Sequence, residues 1–228
     1  MQFDGFVLAA STAALDEEPT AREHADAIEF RMDLADDPLR ALDEYDGTLP
    51  LLVTNRPTWE GGERAADPSR IQELLEAIDD DAVEAVDVEL GAVGDDADER
   101  CDATEVLAKA RSTGVQTVVS VHDFETTPEM GDIADLLAQA TALGDVGKLA
   151  VTAEHTGHVL DLLRVTYEFS QAGEQVATMA MGSPGRHSRV VAPLYGSSIG
   201  YAPLDRDAAT APGQYDLAQL RTLIEALL

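Results

Sequence analysis

Cysteine is nearly absent from this chain, lysine is scarce, and no apolar stretch is long. Cys101 is the single cysteine in 228 residues, which excludes an intrachain disulfide and argues against a cysteine zinc site. Only two lysines, Lys109 and Lys148, stand beside thirteen arginines, so each lysine is more informative than usual. No apolar run reaches the roughly 18 residues of a membrane-spanning helix. The opening MQFDGFVLAAS places an acid where a secretory signal would carry basic residues, and its apolar run is short. A cytoplasmic protein is therefore expected. Basic residues are themselves outnumbered, 15 against 44 acids, for a formal charge of -29 at pH 7. Such a surface repels nucleic acid and anionic membranes. The acid runs Asp16–Glu18, Asp79–Asp81 and Asp95–Glu99 read as solvated surface. Their spread along the whole chain points to adaptation to high salt, which screens self-repulsion. Nucleotide-binding glycine loops are missing too. Gly61-Gly62, Gly182 and Gly185 form neither GxGxxG nor a P-loop, and Ser183–Ser188 lacks such spacing.

What is present is enough for one sizeable core, with 45% hydrophobic residues. Short β-branched runs alternate with segments of helical period, the pattern of a parallel α/β fold. The predicted strands are Phe6–Ser11, Ala27–Leu34, Pro50–Arg56, Val83–Leu90, Gln116–His122, Val146–Thr152, Gln175–Met181 and Ser198–Ala202. Pro68–Ile78, Asp132–Leu143, Thr156–Ala172 and Asp216–Leu228 read as helices, and a short seventh helix falls near His187–Val191. No linker divides the chain, so residues 1–228 are expected to form a single (β/α)8 TIM barrel, with a doubly wound open sheet as the alternative.

Alternate residues of a strand share a face. In AIEFRMDL the apolar Phe30, Met32 and Leu34 should pack on helices, which sends Glu29, Arg31 and Asp33 into the barrel. The same rule pairs Thr54 with Arg56, Asp87 with Glu89, and Ser120 with His122, and it groups Lys148 with Ala150 and Thr152. Barrel interiors are usually filled by Val, Ile and Leu. So many charges in one interior imply a paired network kept for function. A wet strand edge could explain one such strand, but not five.

Lys148 sits in an otherwise apolar strand. Burial strips the ammonium of solvation and favours the free amine, a nucleophile toward carbonyls. A lysine snorkelling from the strand start to solvent fits this residue equally well. His122 ends a strand, where barrel enzymes keep catalytic groups, and imidazole moves protons near neutral pH. Asp123 and Glu60 are its possible orienting partners. Arg31, Arg56 and Arg189 offer planar forks for a carboxylate, or pair structurally with Glu29, Asp33 or Asp87. His24, His155, His158 and His187 read as surface residues. The turn-rich stretch Thr210–Gln214, after the last strand, has the position of a mobile lid.

Taken in order, EFRMD (Glu29–Asp33), TNRPTWEGG (Thr54–Gly62), VDVEL (Val86–Leu90), SVHDFETTP (Ser120–Pro128), GKLAV (Gly147–Val151), Ser188-Arg189 and ATAPGQ (Ala209–Gln214) resemble the type I 3-dehydroquinate dehydratase family, over nearly the whole chain. The resemblance implies a cofactor-free and metal-free lyase acting on 3-dehydroquinate, and commonly a homodimer. In it Lys148 forms a Schiff base, His122 is general acid and base, and Glu60 orients the imidazole. Arg189 holds the substrate carboxylate, Glu29, Arg31 and Arg56 line the hydroxyl side, and Thr210 and Gln214 close over the ligand. Two departures stand out: Thr210 occupies a position that is often serine, and Ala9 falls where many members have a first-strand serine. A class I aldolase would share the lysine without needing Arg31, Arg56, Arg189 and Gln214. A non-catalytic carboxylate-binding barrel would have no need of Lys148 and His122 together.

Overall fold

A computed structural model describes residues 1–93, 101–204 and 213–227. Its strands are β1 (Val7–Thr12), β2 (Ala27–Arg31), β3 (Leu51–Thr54), β4 (Val83–Glu89), β5 (Gln116–His122), β6 (Val146–Thr152), β7 (Val176–Met181) and β8 (Ile199–Pro203). Between and after them run α1 (Glu18–Ala21), α2 (Pro38–Asp43), α3 (Pro68–Ala77), α4 (Thr104–Thr113), α5 (Met130–Leu143), α6 (Thr156–Ala172), α7 (Gly182–Gly185), α8 (Ser188–Val191) and α9 (Leu217–Glu225). Every ladder from β7 round through β1 to β8 is parallel. The seam between β7 and β8 has no ladder. It is held by one bridge, Val176 to Ser197, by the Ser198 amide on the Val176 carbonyl at 2.7 Å, and by the Thr178 amide on Ser197 Oγ at 3.0 Å. The result is a nearly closed (β/α)8 barrel, not an open doubly wound sheet.

Local chemistry sets the helix starts. Asp67 caps α3 by accepting from the Ser69 and Arg70 amides at 2.9 and 3.4 Å, and Pro68 supplies the pre-set first turn. Asp216 caps α9 through the Gln219 amide at 2.9 Å. The helices lay Leu74, Ile133, Leu137 and Leu162 against the outward strand residues Phe30, Val53, Val86 and Val151, all fully buried. Each large aliphatic group so buried contributes about 1.5–3 kcal/mol. Among the described residues no helix is long and apolar enough to cross a membrane.

The barrel interior has two levels. Its lower level is apolar and includes Ala9, Leu52, Ala85, Val118, Val146 and Ile199. Leu52, Ala85, Val118 and Val146 stand two residues before Thr54, Asp87, Ser120 and Lys148, so the same inward face turns polar toward the carboxyl ends of the strands. Three strand readings are corrected here. β2 stops at Arg31 and Met32–Leu34 form a 3-10 turn, which leaves Leu34 exposed instead of packed on a helix. β3 stops at Thr54, so Arg56 lies beyond the strand. Thr152 does not face the interior site; its hydroxyl donates to the Asp123 carbonyl at 3.0 Å and ties down the loop after β5.

Candidate active site

Lys148 projects from the middle of β6 into the upper level and is 2% exposed. It is not alone in an apolar wall, as its strand sequence suggested. Its Nζ donates to Asp87 Oδ2 at 2.7 Å, lies 3.5 Å from Glu29 Oε1, and sits 4.1 Å from the centroid of the Tyr201 ring. Glu29 also accepts from the Ser11 hydroxyl. Burial works against the charge on Glu29, but Lys148, Arg56 and Arg31 outweigh it and hold the carboxyl below its ordinary range.

Ser11 and Glu29 are register partners across β1 and β2. The first-strand position that the family resemblance assigned to Ala9 thus has a hydroxyl two residues further on. Ala9 belongs to the apolar lower level, and Ser11, two residues on and on the same face, lines the cavity.

Glu60 reaches His122 from the turn after β3. Gly61 adopts φ 75°, and a Cβ on it would fall 2.4 Å from the Phe124 ring. A Cβ on Gly62 would fall 2.0 Å from the Arg56 carbonyl oxygen, so the paired glycines let the turn close tightly. Glu60 Oε2 accepts from the His122 backbone amide at 2.7 Å and lies 2.8 Å from ring Nδ1. Burial first, then the charge of Glu89, pushes the Glu60 carboxyl up to about 8. Burial, reinforced by Arg56, Lys148 and Arg31, holds the His122 imidazole well below its usual value. Asp123, the other possible partner, is engaged elsewhere: its Oδ1 accepts from the Glu125 and Thr126 amides at 2.9 and 2.8 Å.

The three candidate arginines separate by their company. Arg31 is held by Asp33, with Nε and Nη2 at 2.8 and 2.7 Å from its two oxygens. Among the described residues the ion pairs of Arg56 are long, 3.6 Å to Glu29 and 3.7 Å to Asp87. Arg189, the second residue of α8, enters the cavity while neighbouring Ser188 anchors the helix by accepting the Ala180 amide at 2.8 Å. Its Nε has no hydrogen-bond partner among the described residues, and burial lowers its guanidinium to about 10, which leaves it charged at neutral pH. One cavity is thus lined by Ser11, Glu29, Arg31, Arg56, His122, Lys148, Arg189 and Gln214. Thr210 lies outside the described residues. His155 and His158, one helical turn apart with ring centroids 3.8 Å from each other, lie at the start of α6 and do not line the cavity.

A cradle of a buried lysine, a carboxylate-held imidazole and a charged guanidinium narrows the chemistry, and comparison with known proteins narrows it further. The sequence model of the type I 3-dehydroquinase family matches residues 7–227. The chain belongs to the type I 3-dehydroquinase family. It is 56% identical to the 3-dehydroquinate dehydratase of Halobacterium salinarum over 227 residues, covering all of both chains. It is 56% identical to that of Haloarcula marismortui, covering all of this chain and 98% of the relative. Among solved structures, the Geobacillus kaustophilus 3-dehydroquinate dehydratase aligns with a TM-score of 0.85 at 26% identity, covering 98% of this chain and 91% of that one. The type I enzyme of Clostridium difficile, solved with covalently modified comenic acid, aligns with a TM-score of 0.85 at 27% identity, covering 98% and 93%.

Within this family member several cavity residues escaped the sequence reading. Met179 and Met181 on β7, Phe124 after β5 and Tyr201 on β8 also line the cavity. The alternation Ile199, Tyr201, Pro203 along β8 could have placed Tyr201 inward. Phe124 sits in a loop, where no periodicity speaks for it; its ring stacks beside His122, with centroids 6.1 Å apart.

Proposed function

We propose that this chain dehydrates 3-dehydroquinate to 3-dehydroshikimate through a Schiff base on Lys148. The observation that carries this reading is that Lys148, His122 and Arg189 line one cavity, Lys148 beside a carboxylate at 2.7 Å and Arg189 still charged at neutral pH despite its burial. The Lys148 amine adds to the C3 carbonyl, and loss of water leaves a protonated imine. Asp87 is placed to take a proton from the ammonium as the amine becomes nucleophilic. The imine draws electrons from the neighbouring C2–H bond. His122, with Glu60 orienting its ring, removes that proton at Nε2. The electron pair forms the C1–C2 double bond as the C1 hydroxyl departs, and the proton returns from His122 so that it leaves as water. Hydrolysis of the imine then frees the product and restores the lysine, for a net loss of one water.

Arg189 holds the substrate carboxylate: its Nε is unpartnered, as are Nε and Nη2 of Arg56, but among the described residues Arg189, unlike Arg56 and Arg31, has no carboxylate within ion-pair distance. Glu29, Arg31, Arg56 and Gln214 face the hydroxyl side, and Thr210 is assigned to the ligand's cover on sequence grounds. That the Clostridium difficile relative was solved with covalently modified comenic acid is in keeping with a covalent mechanism. The test is an absorbance assay with 3-dehydroquinate in strong salt. Appearance of the conjugated enone is the expected result, and a purified, folded chain that forms none contradicts it.

A further inference from the structure

A buried charge pair lies just behind the site and is used by no step above. Arg70, from the first turn of α3, and Glu89, the last residue of β4, have side chains 0% exposed and meet through Nη1 and Oε2 at 2.8 Å. The same Nη1 donates to the Asn55 carbonyl at 3.0 Å. As a structural staple the pair is poor. It makes one contact instead of a two-point fork, and Glu89 Oε1 and Arg70 Nε and Nη2 have no hydrogen-bond partner among the described residues. Two ions taken out of water regain their solvation only when such atoms are satisfied, so apolar residues of similar volume would hold α3 to β4 as well or better.

Its place is more telling. Glu89 is the register partner of Ser120, two residues before His122 on β5. The turn that follows it, Leu90–Ala92, packs on the turn that carries Glu60: a Cβ on Gly91 would meet the Trp59 ring at 3.1 Å. Neither Arg70 nor Glu89 lines the cavity.

We propose that Arg70 and Glu89 are positioning residues that act through charge: Arg70 keeps Glu89 a carboxylate in the dry interior, and that charge strengthens the grip of the Glu60–His122 couple on its last removable proton. The pair thereby sets the pH below which His122 ceases to be a base, an inference that rests on the role given to His122 above. Burial raises the Glu89 carboxyl to about 6 against the pull of Arg70, which leaves it ionised near pH 8, where the couple titrates. That charge is second only to burial in raising Glu60, with Asp87 adding and the His122 amide and Arg56 opposing. Lys148 and Arg31 act on the His122 side of the couple. All of these other side chains face the cavity or its reacting groups, whereas Arg70 and Glu89 can be altered without touching substrate.

Glu89→Gln keeps the shape and removes the charge. Because it strands Arg70, a second variant combines Arg70→Met with Glu89→Gln. The His122 ring nitrogens, identified by their loss in His122→Asn, are followed by 15N NMR against pH in the ligand-free protein, and kcat/KM for 3-dehydroquinate is measured over the same range. Both variants are expected to move the titration of the couple, and the acid limb of kcat/KM, to lower pH by on the order of one unit. A folded variant whose NMR titration stays where it is, with only its melting temperature lowered, overturns the proposal. The NMR arm needs no turnover, so a protein inactive on 3-dehydroquinate would sink the activity and still decide this point.

Discussion

The backbone amide and the ring Nδ1 of His122 meet the same oxygen, Oε2 of Glu60, at 2.7 and 2.8 Å. With Glu60 charged, this double contact requires the ring proton on Nδ1 and leaves the Nε2 lone pair for the cavity. A proton on the ring removes that lone pair, and a proton on Glu60 removes the charge that stabilises the imidazolium formed when Nε2 takes the substrate proton. Since Glu60 is raised to about 8 and His122 lowered well below its usual value, base function is lost as pH falls through the upper of these two steps. We expect kcat/KM to climb with pH to a plateau beginning near 8. In Glu60→Gln that step is gone, so the acid limb should move below the ordinary imidazole value of about 6.5. A pH profile that is the same in both proteins contradicts the coupling.

Replacing His122 by Ala removes the proton carrier without removing the nucleophile. Turnover should fall roughly 100-fold or more, the usual scale for a general acid–base group, while borohydride still traps substrate on the protein. A fully active His122→Ala enzyme would exclude the imidazole as base.

Arg189→Ala should act on binding. Loss of a charge-assisted contact to a carboxylate costs about 1.5–3 kcal/mol, or roughly 10- to 100-fold in affinity. The rise is expected in KM, and in the Kd for 3-dehydroquinate measured calorimetrically on a His122→Ala background. Unchanged values in both would reassign the carboxylate to Arg31 or Arg56.

Salt should govern stability, because a net charge of -29 leaves the folded chain under strong like-charge repulsion. The screening length grows from about 3 Å at 1 M salt to about 30 Å at 0.01 M. The melting temperature should fall steeply on dilution, return in molar potassium chloride, and recover partly at mildly acidic pH, where surface carboxylates are protonated. A flat series of melts between those salt limits would refute salt adaptation and leave the active site untouched.

Period-two patterning was enough to bring Glu29, Asp87, Ser120 and Lys148 to one interior, because each sits in a regular strand whose opposite face is plainly apolar. It located a face but not a height. Ala9 and Ser11 share the inward side of β1, and only the register with β2 tells that Ser11 is the one level with Glu29. Alternation also fails where a strand ends early. Met32–Leu34 curl into a turn, so Asp33 folds back onto Arg31. Glu60 lies in a loop, which has no period to read; residue chemistry offered it only as one of two partners for His122, beside Asp123, and the family resemblance chose between them. Arg70 reads as an ordinary polar position of an amphipathic helix. Nothing in PSRIQELLEA says that its side chain runs inward to a carboxylate at the end of β4.

The central claim is the covalent bond to Lys148, and reductive trapping tests it most directly. The protein is incubated with 3-dehydroquinate and sodium borohydride in strong salt, digested, and mapped by mass spectrometry. The account predicts ligand mass on the peptide that contains Lys148, and none in Lys148→Ala. Label on Lys109, or an enzyme that turns over substrate yet takes up no label, would contradict it.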